Sequence, residues 1–276
     1  MKTIDLHTHS TCSDGSLTPR ELVRHAKKSG LSAVAISDHD SVSGIADALD
    51  EGKAIGIEVV PAIELSAQSE TETHILGYYI DPENKALNDA VEYAKQVRYE
   101  REVETCALLN SLGFDITMEE AEEEAKSGLL CRAHFAKIMV RKGYVSSVKE
   151  AFDKYLANGK GAYSARQAFT DTEAISLING AGGLAFCAHL HLTRKSPDEL
   201  EAFLKRLKNE GLSGIEGYYT DYTPEMEKTY RSLASSLGLM ISGGTDFHGA
   251  FKPHISIGKG LGNLEIPYSV LENIKT

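Results

Sequence analysis

Short apolar runs alternate with segments of helical periodicity along most of the chain. The runs are TIDLH (3–7), SAVAISDHD (32–40), IEVVPAIELSA (57–67), THILGYYI (73–80), GGLAFCAHL (182–190), GIEGYY (214–219) and LMISGGTDFH (239–248). Most are continuous rather than alternating, which predicts strands buried on both faces. A helix is predicted to open at Thr18, where Thr18-Pro19-Arg20-Glu21 offers a capping box with proline at the first helical position. Further helices are predicted near 44–54, over 170–180, over 197–210 behind the Ser196-Pro197-Asp198-Glu199 box, and over 224–237. Strand–helix alternation of this kind predicts an α/β fold with a parallel sheet. Residues 84–165 break the rhythm: ALNDAVEYAKQVRYEREVETCALLNSLG and CRAHFAKIMVRKG read as helices with no strand between them. They predict a helical subdomain (84–165) inserted into a barrel domain made of 1–83 and 166–276.

Composition narrows this only in part. The chain has 276 residues, 42% apolar and 25% charged, enough for one large domain carrying an insertion. No apolar stretch approaches the roughly 18 residues of a membrane span, so no membrane partner is expected. Cys12, Cys106, Cys131 and Cys187 show neither C-x-x-C pairing nor disulfide density, which predicts a reducing, cytoplasmic setting. The net charge of −11 opposes binding of long duplex nucleic acid but permits a small anionic ligand in a local pocket. Part of that charge lies in Met118–Lys126 (MEEAEEEAK), which reads as a solvated helix face.

The chemistry concentrates at the ends of the apolar runs. His7 and His9 have i, i+2 spacing, which places both on one face of a strand. An isolated H-x-H fits a buried hydrogen-bonded pair as well as a metal site. The second run, however, ends in Asp38-His39-Asp40, the third in Glu64, the fifth in His189 and the seventh in Asp246-Phe247-His248, while the fourth begins at His74. Six of the ten histidines thus sit at strand boundaries. In parallel α/β folds the C-terminal strand ends converge on one face, so these side chains are expected to assemble a polynuclear metal site. Imidazole with carboxylate suits Zn, Mn, Fe or Ni rather than Ca, and the lack of cysteine ligands opposes a closed structural zinc site. His25 reads as a surface residue of its helix, and His191 and His254 as loop residues. Asp38 and Asp40 are expected to orient His39 or cap the next helix. Tyr218 and Tyr219 fit either the core or the flank of the site.

DLHTHSTCSDGSLTP, AISDHDSVSG, EL after a strand, HILGY, AHL and GGTDFHG occur in the order found in the PHP (polymerase and histidinol phosphatase) family, which the chain resembles over nearly its whole length. The resemblance is strongest to stand-alone phosphoesterases acting on 3′,5′-bisphosphorylated nucleosides, some of which also trim short RNA from its 5′ end. It implies a distorted (β/α)7 barrel and a trinuclear site. His7, His9, Glu64 and Asp246 would hold a first cation, Asp14, His39 and His248 a second, and His74 and His189 a third bridged by Glu64. Two or three divalent ions are implied, Mn foremost, with Zn, Fe or Mg as other choices. Leu190 stands where the family usually has proline. CRAHFAKIMV matches the family's Arg-x-His segment, so Arg132 and His134 would contact substrate phosphate, a role that suits a bidentate guanidinium. Lys160, Arg166, Arg194 and Lys252 are further positive charges of unassigned direction.

The expected activity is a metal-dependent phosphomonoesterase acting on the 3′-phosphate of nucleoside 3′,5′-bisphosphates by attack of a metal-bridging hydroxide. The expected partner is a small phosphorylated substrate, a nucleoside bisphosphate or the end of a short oligonucleotide. No G-x-S-x-G or P-loop pattern offers a different chemistry. The alternatives are a histidinol-phosphate phosphatase, a 5′-to-3′ exoribonuclease, and a non-catalytic polymerase-associated module, which the complete ligand set opposes.

Overall fold

A computed structural model describes residues 2–68, 72–125, 130–164 and 168–275. Lys126 and Arg166, singled out above, lie outside the described residues. The chain forms two compact units, Met1–Val91 with Phe169–Thr276, and Glu92–Ala168.

The first unit begins with β1 (Ile4–Asp5), α1 (Pro19–Lys28), β2 (Ala33–Ile36), α2 (Ile45–Ile55), β3 (Glu58–Gln68) and β4 (Glu72–Tyr78). Helix α3 (Lys85–Ser111) starts in this unit and ends in the second, which also holds α4 (Met118–Ala125), α5 (Arg132–Arg141) and α6 (Val148–Ala151). The first unit resumes with β5 (Phe169–Thr170), α7 (Asp171–Gly180), β6 (Leu184–Cys187), α8 (Pro197–Asn209), β7 (Gly214–Tyr219), α9 (Pro224–Leu237), β8 (Met240–Gly244) and α10 (Ser269–Lys275). The capping boxes form as the sequence predicts. Thr18 and Ser196 each exchange hydrogen bonds with the glutamate three residues on, and Thr170–Glu173 adds a third box at α7. Each cap is worth about 1 kcal/mol.

The strands pair in the order β1-β2-β3-β4-β6-β7-β8, with the two-residue β5 attached to β3. Leu6 N–H donates to Gly243 O (3.1 Å) and Asp246 N–H to His7 O (2.8 Å), which brings the first and last strands together. The seven strands form a nearly closed barrel of the PHP type. The expected parallel sheet holds except at β4, which runs antiparallel to both β3 and β6. Only residues 69–71 separate β3 from β4, and a parallel crossover needs a dozen residues or more. The short β5 was not foreseen either; two residues are too few to leave a periodic signal.

Alternate residues of each strand fill the barrel. Ala33, Ala35, Val60, Ala62, Leu76, Tyr78 and Phe186 are all buried in one cluster, joined by Val270, Leu271 and Ile274 of α10. Small alanines on β2 and β3 leave space for the Tyr78 and Phe186 rings, which meet edge to face at 5.1 Å. Burying each large apolar side chain contributes about 1.5–3 kcal/mol. The same inward parity continues to the rim: 33, 35 and then His39; 60, 62 and then Glu64; 78, 76 and then His74. The reversed direction of β4 is what puts its first residues, rather than its last, beside Glu64.

The second unit has its own core, built on Leu109, Phe135, Ile138, Met139 and Leu156. On α4 only Ala121 is buried, so the acidic side chains of that helix lie on the outer face expected of them.

Candidate metal centre

Five imidazoles surround the Glu64 carboxylate. Oε1 lies 2.9 Å from His74 Nδ1 and 3.1 Å from His189 Nε2. Oε2 lies 3.2 Å from each of His7 Nε2, His9 Nε2 and His39 Nδ1. Asp246 Oδ1 approaches His9 Nε2 at 3.2 Å, and Asp14 Oδ1 approaches His248 Nε2 at the same distance. The His9 ring lies between those of His39 and His248, with centroids 4.5 and 4.2 Å away. All nine predicted donors therefore meet at one rim. Among the described residues three groups bring their donor atoms within 4.8 Å of one another: His9, Asp14, His39 and His248; His7, His9 and Asp246; and His39, Glu64 and His74.

Local backbone features permit this crowding. A Cβ on Gly244 would stand 2.2 Å from His7 Cβ, so only glycine lets β8 pass beside that ligand. His189 and Asp246 adopt φ of 27° and 56°, a left-handed region that costs a non-glycine residue about 1–3 kcal/mol. Such strain persists only where the surroundings hold it. The His189 N–H donates to Glu216 Oε2 (2.7 Å) and the Leu190 N–H to the Tyr222 hydroxyl (2.8 Å). Proline at 190 has no N–H to offer, so leucine gives this turn an extra tie.

The electrostatics are those of a donor cluster. Burial raises Glu64, but His39, His7 and His74 outweigh it and hold the carboxyl well below its usual range. Asp246 and Asp14 are likewise depressed against burial, Asp246 by Lys252 and His248, Asp14 by His248 and His39. Burial lowers His9, yet Asp246 and Glu64 push it up to about 9. His39 is pulled well below its ordinary value, chiefly by burial.

His9 Nδ1 and Nε2, His39 Nδ1 and Asp14 Oδ1 are buried and make no hydrogen bond, despite the short distances above. His9 Nε2 lies beside Glu64 and Asp246 and His9 Nδ1 on the side of Asp14, so the unbonded atoms flank more than one position. A buried polar atom left this way is costly unless something else satisfies it. A nitrogen–oxygen donor set without cysteine fits divalent transition metals, so the residues present suit the cations that the family implies.

Other residues take different places from those expected. Asp38 neither orients His39 nor caps α2, whose N-cap is Gly44 without a side-chain bond. It accepts from Ser10 N–H, Ser10 Oγ and Ser13 Oγ at 2.6–2.7 Å, fixing the turn that precedes Asp14. Asp40 accepts from Ser66 N–H (2.9 Å). His25 is partly covered rather than fully on the surface, its ring 5.5 Å from Phe247. His254 is exposed, and His191 packs on Tyr219 and Tyr222. Tyr219 donates to Asp246 Oδ2 (2.9 Å) and so flanks the site, while Tyr218 lies under the Arg231 guanidinium. Lys252 Nζ also holds Asp246 Oδ2. Sequence reasoning passed over Glu216, although one acid inside the apolar run GIEGYY was a visible signal.

Arg132 and His134 belong to the second unit. Arg132 lies over the Tyr163 ring at 5.1 Å and donates to Leu156 O. His134 is buried, and its Nδ1 accepts from Cys131 N–H (3.1 Å), which leaves Nε2 as its donor nitrogen.

A model of the PHP domain matches residues 5–168. The chain is 33% identical over 248 residues to a 5′-3′ exoribonuclease of Haemophilus influenzae, covering 90% of each. It is 32% identical over 253 residues to a 3′,5′-nucleoside bisphosphate phosphatase of Chromobacterium violaceum, covering 90% of this chain and 88% of that one. A candidate metal-dependent phosphoesterase from Bifidobacterium adolescentis superimposes with a TM-score of 0.87 at 28% identity, covering 99% of this chain and 95% of that structure. A domain match over more than half of the sequence, in a chain that brings nine histidine, aspartate and glutamate side chains to one rim, means that this protein belongs to the PHP domain family.

Proposed function

We propose that this protein hydrolyses a terminal phosphate from a small nucleotide, foremost the 3′-phosphate of a nucleoside 3′,5′-bisphosphate, using two or three divalent cations with manganese first among them. At the coarser level the chain is a PHP metal-dependent phosphoesterase, a hydrolase of phosphoric esters. The observation that carries the reading is the ring of five imidazoles around Glu64, with four buried donor atoms left without hydrogen bonds.

His7, His9, Glu64 and Asp246 would hold one cation, Asp14, His39 and His248 a second, and His74 and His189, with Glu64 shared, a third. When bound, such cations acidify water and draw negative charge from phosphoryl oxygens. Lys252, partly exposed beside Asp246, adds a positive charge that favours an anionic ester. Arg132 and His134 are assigned to the second phosphate, where remote binding turns into orientation of the bond to be cut.

Among the described residues no helix is long and apolar enough to cross a membrane. A second reading, 5′-to-3′ removal of nucleotides from short RNA, is favoured by the 33% identity to the H. influenzae exoribonuclease. A panel of nucleoside 3′,5′-bisphosphates, simple monophosphates, histidinol phosphate and a short 5′-phosphorylated RNA, assayed with added manganese and with chelator, separates these readings. Phosphate release from the bisphosphate that chelator abolishes is the expected result. Release that is indifferent to chelator, or no turnover of any ester with manganese present, would refute the proposal.

A further inference from the structure

Glu216 takes no part in any of the three ligand sets, yet it touches two of them. It is fully buried on β7. Its Oε1 accepts from His7 Nδ1 at 2.9 Å, and its Oε2 accepts from the His189 backbone N–H at 2.7 Å. A carboxylate only accepts, so His7 Nδ1 must carry the hydrogen, and Nε2 is the nitrogen left to ligate. The second bond holds the backbone of His189 at its positive φ of 27°. A register irregularity in β7 between Glu216 and Tyr218 makes this possible. It breaks strict alternation, so that Glu216 and Tyr219 both face the cluster. The Tyr222 hydroxyl accepts from Leu190 N–H and donates to the Glu216 carbonyl, so Glu216 on β7 and Tyr222 just beyond it each grip the 189–190 turn.

We infer that Glu216 is a positioning residue that ties the cation site of His7 to the cation site of His189, with no bond of its own to Asp14, His39 or His248. This rests on the metal-centre reading above. Among the described residues, buried Asp5 also bonds to two ligand-bearing segments, at His7 and at Thr245, but both belong to the first cation site, whereas Glu216 joins segments of two sites. Its effect on catalysis would therefore pass through metal occupancy rather than contact with substrate.

The test compares wild type with Glu216→Gln by manganese titration, using electron paramagnetic resonance of free ion and elemental analysis after gel filtration. An amide offers one acceptor where two N–H groups need one, so one of the two bonds must fail. The expected result is about 10–100-fold weaker binding in the class of sites that includes His7 and His189, with one class unchanged. The metal-free variant should melt only a few degrees below metal-free wild type, and kcat should recover at saturating manganese. Glu216→Asp, which keeps the charge with a shorter reach, should restore part of the affinity and serves as the test if the glutamine variant does not fold. Unchanged affinity in every class, or equal weakening of all classes, would overturn the inference. Wild-type protein that takes up no cation would instead overturn the metal-centre reading itself, and this inference with it.

Discussion

Lys252 Nζ lies 2.6 Å from Asp246 Oδ2, while the other oxygen of the same carboxylate faces His9 Nε2 at 3.2 Å. One carboxylate thus spans the donor cluster and Lys252. Lys252 is partly exposed, and the proposed phosphoesterase reading gives its charge a second partner in an arriving anion. Lys252→Met is expected to raise KM for a phosphate ester about tenfold, with manganese affinity equal or tighter, since a positive neighbour has gone. Steady-state kinetics beside a manganese titration check this; a loss of metal affinity would contradict it.

Asp246→Ala removes the carboxylate that His9 approaches and that Lys252 and Tyr219 hold. Turnover should fall by about a thousandfold or more, equal to about 4 kcal/mol at 1.36 kcal/mol per tenfold. The metal-free variant should keep the circular dichroism spectrum of wild type, because the barrel core lies below this rim. A rate near normal would count decisively against Asp246 as a ligand.

Arg132→Ala tests the proposed assignment of Arg132 to the second phosphate. A hydrogen bond to a charged group contributes about 1.5–3 kcal/mol, so kcat/KM for a 3′,5′-bisphosphate should drop roughly 10–100-fold. A simple monophosphate should change little. Equal losses on both substrates would remove the assignment of Arg132.

The metal-free protein should lose stability as pH rises from about 6.5 toward 9. His9 is raised from its ordinary 6.5 to about 9 against the pull of burial, through Asp246 and Glu64. The folded form then holds a proton that the unfolded chain releases, so this contribution is complete below 6.5 and gone above 9. Thermal melts in chelator across that window should show the decline. Ligation displaces the same proton, so melts with saturating manganese should show the decline reduced, and binding should release protons to the buffer.

Much of this arrangement was legible before any coordinates. Glu64, His189, Asp246 and His248 close apolar runs and His74 opens one, so a strand-end rule was enough to gather them. The capping glutamates at 21 and 199 were equally local, since each acts within three residues. What escaped depends on long-range or irregular structure. Glu216 meets His7 across 209 residues, and the irregularity after it defeats any parity count along β7. The service of Asp38 to Ser10 and Ser13 needs the partner strand in place before it can be seen. The reversal of β4, by contrast, could have been inferred from the short gap after β3, because loop length alone forbids a crossover.

The β3–β4 pairing sets an order of events on the ribosome. Glu64 and His74 meet across ten residues, whereas Glu64 and His189 meet across 125. A growing chain that has just exposed His74 already carries His7, His9, Asp14, His39 and Glu64, with 174 residues still to be made before His248 is in place. At about 5–20 residues per second that interval lasts roughly 10–40 s. Throughout it the nascent protein displays half-assembled cation ligands to the translating cell, and the buried centre closes only when Asp246 and His248 arrive.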